Sequence, residues 1–254
     1  MSDFVGLSKN LIWEKWKLVN WILGIDLIAL IGICLWMLIK GNLDSNTAIG
    51  TTLISFSIIN FISFIMLSRV NERILTSNNY RLIPSTDTKL YLGNILTTFL
   101  VFVYLQILEG IINAIIYLLA GQDIESYLNM SGSINFGTLV QMILLIVLIP
   151  FLIWSAITLV HLLISFISGF LPFGSQRFVK FILYLIVIWA GVYVFRIITE
   201  SIFKMINSTL NQGISSLSQF NAVTWIGLGV IFAWIVIISA INIYLQKRWV
   251  ETIR

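Results

Sequence analysis

One cysteine, one histidine, three prolines and a charged fraction of only 10% set the first limits on this 254-residue chain. The lone cysteine, Cys34, lies inside an apolar run, which excludes a disulfide framework, and one cysteine with one histidine cannot build a zinc cluster. A His-Glu-x-x-His metal site needs two histidines and is excluded. Cysteine–histidine catalysis is left without a site, and no paired nucleophile and base can be assembled at a common depth. No Gly-x-x-x-x-Gly-Lys-Ser/Thr run exists to cradle a nucleotide phosphate. The reading is a protein without catalytic residues, without a metal and without a cofactor of its own. Soluble domains carry roughly 25% charged residues, so the scarcity of charge also excludes an ordinary soluble fold. The net charge of +4 is spread over separate loops and forms no basic patch, which argues against nucleic acid as a partner.

What the chain has is apolar length. Hydrophobic residues make up 59% of it, and several runs reach the roughly 20 residues that cross a bilayer as a helix. The fold class is all-α and polytopic, expected as one transmembrane domain over 1–254. Six spans are predicted: Leu18–Ile39, Ala48–Leu67, Leu92–Leu119, Thr138–Ser168, Phe178–Thr199 and Val223–Leu245. The fourth, about 31 residues long, contains Pro150 and should tilt or kink. Lys9, Glu14, Lys15 and Lys17 interrupt the first 17 residues, so no cleavable signal is read there and the first span should be retained. Segment 1–17 is amphipathic, with Phe4, Leu7, Leu11 and Ile12 opposing Asp3, Asn10, Glu14 and Lys17. With Trp13 and Trp16 at headgroup level, it reads as an interfacial helix lying flat on the bilayer. Twelve of the fifteen basic residues fall on one side of this topology, which places both termini in the cytoplasm of a multi-pass plasma-membrane protein.

Two connections stand out. Segment 68–91 is polar and must sit at a water interface; it holds Arg69, Arg73, Arg81 and Lys89 with Glu72 and Asp87. Tyr80, Leu82 and Ile83 give a short apolar face, Pro84 stops that helix, and Ser85-Thr-Asp-Thr88 offers caps for the next one. A short crosswise helix of this kind suits docking to a soluble partner, and a plain charged loop that fixes topology is the alternative. Segment 200–222 repeats Ile202, Ile206, Leu210, Ile214 and Leu217 at helical spacing, broken near Gly213. It reads as two short external helices dipping back toward the membrane. The 120–137 loop is polar and reads as a plain connection.

Ionisable residues inside a membrane are functional candidates by default. There are four: Asp26, Glu109, His161 and Arg196. Counted from the span ends, Asp26 and His161 lie roughly 10–12 Å deep, and Glu109 and Arg196 roughly 25 Å deep. A Glu109–Arg196 pair holding an outer gate, within the chain or across a dimer, is therefore expected, with snorkelling of Arg196 to the headgroups as the alternative. Gln106, Glu109 and Asn113 share one helical face that either lines a polar pathway or bridges neighbouring helices. Thr52, Ser55, Asn60 and Ser63 read as small-residue helix packing, and His161 as a satisfied packing residue before a proton relay.

The stretch Glu72-Arg73 … Tyr80-Arg-Leu-Ile-Pro-Ser-Thr-Asp-Thr-Lys-Leu-Tyr-Leu-Gly93, set in this six-span layout, resembles the permease subunit of type-2 ABC exporters. In that family a Leu-x-x-Pro and a hydroxyl-rich turn lead through a glycine into span three. Here Asn94 stands where a lysine is usual, and Ile74-Leu75 where Gly-Thr often follows. The resemblance implies a half-transporter paired with a second permease chain in the lipid bilayer. Each chain would dock on a separate ATP-binding cassette subunit that binds ATP and magnesium. It also implies that Glu72, Arg73, Tyr80, Arg81, Leu82, Pro84 and Asp87 form the coupling helix, and that the cargo is an amphipathic or hydrophobic peptide, antimicrobial or drug. Two other classes compete: a stand-alone secondary carrier using Asp26 and Glu109, and a membrane immunity or assembly factor that transports nothing.

Overall fold

The structure is a computed structural model that describes residues 4–41, 44–77, 80, 86–119, 136–169, 176–210 and 217–249. Among them it is built from six long α-helices with no strand: α1 (Phe4–Ile39), α2 (Ser45–Thr76), α3 (Asp87–Leu119), α4 (Phe136–Gly169), α5 (Gln176–Leu210) and α6 (Leu217–Trp249). All six are long and apolar enough to cross a membrane, which makes this a multi-pass membrane protein. Large side chains such as Trp21, Ile28, Phe61, Ile146 and Trp189 are more than two-thirds exposed. Such a surface suits lipid, because acyl chains are as apolar as the side chains they meet.

Every span predicted from hydropathy is a helix, and the helices overrun the spans. Hydropathy marks only the part in hydrocarbon, whereas backbone hydrogen bonding carries a helix on until something stops it. At α1 the stop is Gly41, with a φ of 69°, a conformation that costs glycine nothing and terminates helices for that reason. Asp44 then opens α2 with a reciprocal capping box to Thr47. Hydrogen bonding to the Thr47 side chain, then to its backbone, holds the Asp44 carboxylate below the usual range. The hydroxyl of Thr86 accepts from Lys89 N–H at 3.4 Å, as the hydroxyl-rich turn predicted, and Asp87 places its negative charge in the first turn of α3. Pro150 lies inside α4, which continues through it.

Three expectations change. The N-terminal segment, read as a separate flat helix, is continuous with the first span in one helix of 36 residues. Its buried stripe explains this: Leu7, Leu11, Lys15, Val19, Leu23, Asp26 and Leu30 repeat at three or four residues without a break. The 68–91 segment is less of a loop than its polarity implied, since α2 runs to Thr76 and α3 begins at Asp87, with Val70, Asn71, Ile74 and Leu75 buried. The crosswise helix would fall on 78–85, where only Tyr80 is described. In 200–222 the helical spacing belongs to extensions of α5 and α6, and the joint around Gly213 lies outside the described residues.

The chain packs as two compact units, 1–134 and 135–254. In the first, α1, α2 and α3 all touch one another around Val19, Leu23, Ile59, Leu67, Val101 and Leu105. In the second, α4 packs on both α5 and α6, tied by Asn242 Nδ2 donating to Ser155 O at 2.8 Å and Gln141 Nε2 to Asn221 O at 3.0 Å. Leu105 is fully buried and Leu100, on the same helix, is 56% exposed. Leu105→Ala should destabilise the first unit by on the order of 2 kcal/mol through the cavity it leaves, while Leu100→Ala leaves thermal unfolding in detergent unchanged.

Candidate functional site

The first unit gathers most of the buried polar chemistry described here, and it begins with a lysine in an apolar stripe. Lys15 is fully buried on α1. Its Nζ donates to four oxygens of α3: Asn94 O at 2.6 Å, Asn94 Oδ1 at 2.7 Å, Thr97 Oγ1 at 2.8 Å and Thr98 Oγ1 at 2.7 Å. An ammonium has three protons, so at least one is shared between two acceptors. The network continues into α2, with the Thr98 hydroxyl donating to Asn71 Oδ1 and Asn94 Nδ2 to Asn71 O at 3.1 Å. A buried charge is costly unless its protons are satisfied. Here that requirement fixes the register of three helices at one level.

The neighbouring residue makes a second tie. Glu14 accepts from the Arg73 guanidinium through Oε1 and from the Tyr80 hydroxyl through Oε2. Partial burial, then the hydrogen bond from its hydroxyl to the Glu14 carboxylate, push the Tyr80 phenol up to about 12. Two successive residues of α1 thus hold the end of α2, the start of α3 and Tyr80 between them. Of the residues proposed for coupling, Arg73 and Tyr80 are brought together on Glu14. Glu72 is half-buried in the last turns of α2, its carbonyl accepting from Thr76, and Asp87 is half-buried at the start of α3. Arg81, Leu82 and Pro84 lie outside the described residues.

Deeper in the same unit, Asp26 is 3% exposed and Glu109 1%. Asp26 Oδ1 accepts from the Ser55 hydroxyl, and the two carboxylates are within electrostatic reach of one another. Asp26 Oδ2 and Glu109 Oε1 have no hydrogen-bond partner among the described residues. The span-end depths had separated these acids by more than ten ångströms because their zero points differed. Counted from the Lys15 level, Asp26 is eleven residues along α1 and Glu109 twelve beyond Thr97, about 16 and 18 Å. Arg196, in the second unit, donates from Nε to Glu200 Oε1 at 2.6 Å, one turn along its own helix.

Gln106 bridges helices, its Nε2 donating to Asn60 Oδ1 of α2, while Asn113 bonds back to Glu109 O at 2.9 Å. His161 is half-buried, with Nδ1 3.3 Å from the Tyr184 hydroxyl. On the outer side of α1, a hollow of about 810 Å³ is lined by Ser8, Lys9, Asn10, Ile12, Trp13 and Trp16. Its two indoles stack at 5.3 Å and Lys17 lies over Trp13, the chemistry of a headgroup-level belt. Among the described residues, no three metal-ligating side chains gather. Sequence reasoning missed Glu14, Lys15, Asn71, Thr97 and Thr98, and took Ser55 and Asn60 for packing. The signal was present for Lys15 alone, as a lysine continuing the four-residue spacing of Leu7 and Leu11.

Replacing Lys15 with methionine should cost about 2–3 kcal/mol, by stranding acceptors in Asn94, Thr97 and Thr98 that have no water to turn to, measured as a lowered unfolding midpoint in detergent. For Tyr80 the folded value lies above the ordinary 10.0. Its contribution is therefore complete below about pH 10 and is lost as pH rises through about 12. Thermal melts across that window should fall less steeply in Tyr80→Phe than in the parent protein.

Comparison with protein-family models, with curated proteins and with solved structures returns no match for this chain.

Proposed function

We propose that this chain is the membrane subunit of an ATP-driven exporter of the ABC type-2 class, moving an amphipathic or hydrophobic cargo out of the cell while a separate subunit hydrolyses ATP. The observation that carries the reading is the double tie made by Glu14 and Lys15. A partner pressing on the α2–α3 junction would move Tyr80 and Arg73, and through Glu14 it would move α1. The Lys15 network forces α3 to follow, so a push at one short segment is delivered to three spans at once. The departure at Asn94 fits this scheme. Where exporter permeases usually carry a lysine, this chain has an acceptor, and α1 supplies the ammonium.

On this reading the junction faces the cytoplasm, Leu82 and Ile83 anchor in the ATPase, and Arg81 makes charged contacts at the rim. A second permease chain completes the pathway. A stand-alone carrier is the second reading, favoured by the closeness of Asp26 and Glu109; membrane-embedded acids are the usual coupling groups of such carriers.

The deciding experiment is co-purification with an ATPase bearing a P-loop, followed by cargo export from vesicles. Leu82→Asp and Arg81→Glu should each lower ATPase capture by about tenfold or more and abolish export, with membrane insertion intact. Glu14→Gln should keep the ATPase bound yet uncouple hydrolysis from export. Cargo movement by the purified chain alone, or full export by both junction variants, would refute the reading.

A further inference from the structure

The two buried acids of the first unit are not absorbed by any docking role. Asp26 is the sole charged residue of α1 between Lys17 and Lys40, and Glu109 the sole one of α3 beyond Lys89. On α2, the third helix of the bundle, nothing between Asp44 and Arg69 carries charge. Their level can be triangulated. Ser55 of α2 bonds Asp26 of α1, and Asn60 of α2 bonds Gln106 of α3. From that second bond, Glu109 is three residues along α3 and Ser55 five residues along α2 in the same direction, about 4.5 and 7.5 Å. Asp26, Ser55 and Glu109 therefore occupy one layer. The nearest ammonium on α1 inward of Asp26 that is buried with it is Lys15, about 16 Å away along the helix and committed to four oxygens.

Two negative charges in such a layer would repel through a medium of low dielectric, and among the described residues of the three helices no cation lies at that level to offset them. One must be neutralised. Ser55 donates to Asp26, which favours that carboxylate as the charged member. Among the described residues Glu109 receives no such donor, and its Oε1 is orphaned and buried, as is Asp26 Oδ2. A hard cation would need several oxygen ligands at close range, and the buried orphan oxygens of this layer among the described residues are two, Asp26 Oδ2 and Glu109 Oε1. A proton needs one.

We propose that Asp26, Ser55 and Glu109 form a proton-binding site within the α1–α2–α3 bundle, carrying one proton at neutral pH, on Glu109, with Asp26 ionised against the Ser55 hydroxyl. The site stands on the bundle alone and rests on neither reading of how transport is powered. Loading and release of that proton changes the net charge of a buried layer by one unit, so any rearrangement of the three helices that wets the layer is tied to proton exchange.

Infrared difference spectroscopy of the intact purified protein in lipid nanodiscs reads this directly, through the carbonyl stretch of a protonated carboxylic acid. The parent protein should show the band at neutral pH and lose it on raising the pH, and Glu109→Gln should lack it. Asp26→Asn removes the repelling charge, so the midpoint of band loss should fall by about one pH unit or more. Ser55→Ala, which keeps both acids and guards against a misfolded Asp26 variant, should move the midpoint the opposite way by withdrawing the donor from Asp26. No band at neutral pH, or a midpoint unmoved in both Asp26→Asn and Ser55→Ala, would overturn the site. Band loss on adding sodium chloride at fixed pH, unseen with choline chloride, would also overturn it, by making the layer a cation site. An ATPase that fails to bind would leave these spectra untouched, so the two proposals fail separately.

Discussion

A lysine ammonium shut away from water has to find its hydrogen-bond partners inside the protein, and the first unit is arranged around that demand. Lys15 meets it with four oxygens drawn from just over one turn of α3. Because Asn94 and Thr98 in turn bond Asn71, the third helix is held by the same knot. Apolar packing between membrane helices is weakly directional, since a leucine meets lipid and leucine on similar terms. A saturated ammonium is not indifferent in this way, and sliding α1 by one turn would strand it. The core of Val19, Leu23, Val101 and Leu105 then fills a geometry whose register is already set.

The same register brings Asp26 and Glu109 to one depth. Both helices leave the Lys15 level in the same direction and rise equally per residue, so acids eleven and twelve residues along arrive together. The knot and the acid layer are in that sense one construction, about three turns apart. The polar residues between them behave as spacers with a purpose: the Tyr104 hydroxyl reaches Asn20 at 2.9 Å, and Gln106 reaches Asn60. Each bond joins two of the three helices at an intermediate height. The second unit is tied differently. Its helices are joined by Asn242 and Gln141 donating to backbone carbonyls, and its charged pair, Arg196 with Glu200, is exposed and local to one helix.

This contrast bears on how force would travel. In the proposed exporter, the working input is a push on the α2–α3 junction. Glu14 and Lys15 are consecutive residues on opposite duties, one gripping Arg73 and Tyr80, the other gripping α3. A helix that is continuous from Phe4 to Ile39 carries whatever those two residues feel into the membrane. A flat helix with a break before the first span could not do so, because the break would absorb the displacement. In that proposal, the continuity of α1 would make the N-terminal segment part of the moving body.

By itself, the sequence determined the six apolar helices and their order, because the cost of exposing backbone polar groups to hydrocarbon leaves a run of about 20 apolar residues no other structure. Although the equally local signals at Gly41 and Asp44 went unread, the cap at Thr86 was legible too, its partner Lys89 lying three residues away. Asp26 and Glu109 were legible as candidates for the same reason: a charge inside an apolar run is conspicuous. Which residues answer those charges was decided only by tertiary structure. Lys15 with Asn94, Glu14 with Arg73 and Asp26 with Glu109 are separated by 59 to 83 residues. Their pairing depends on the relative height of helices, to which hydropathy is blind because an apolar run reads the same wherever its neighbour begins.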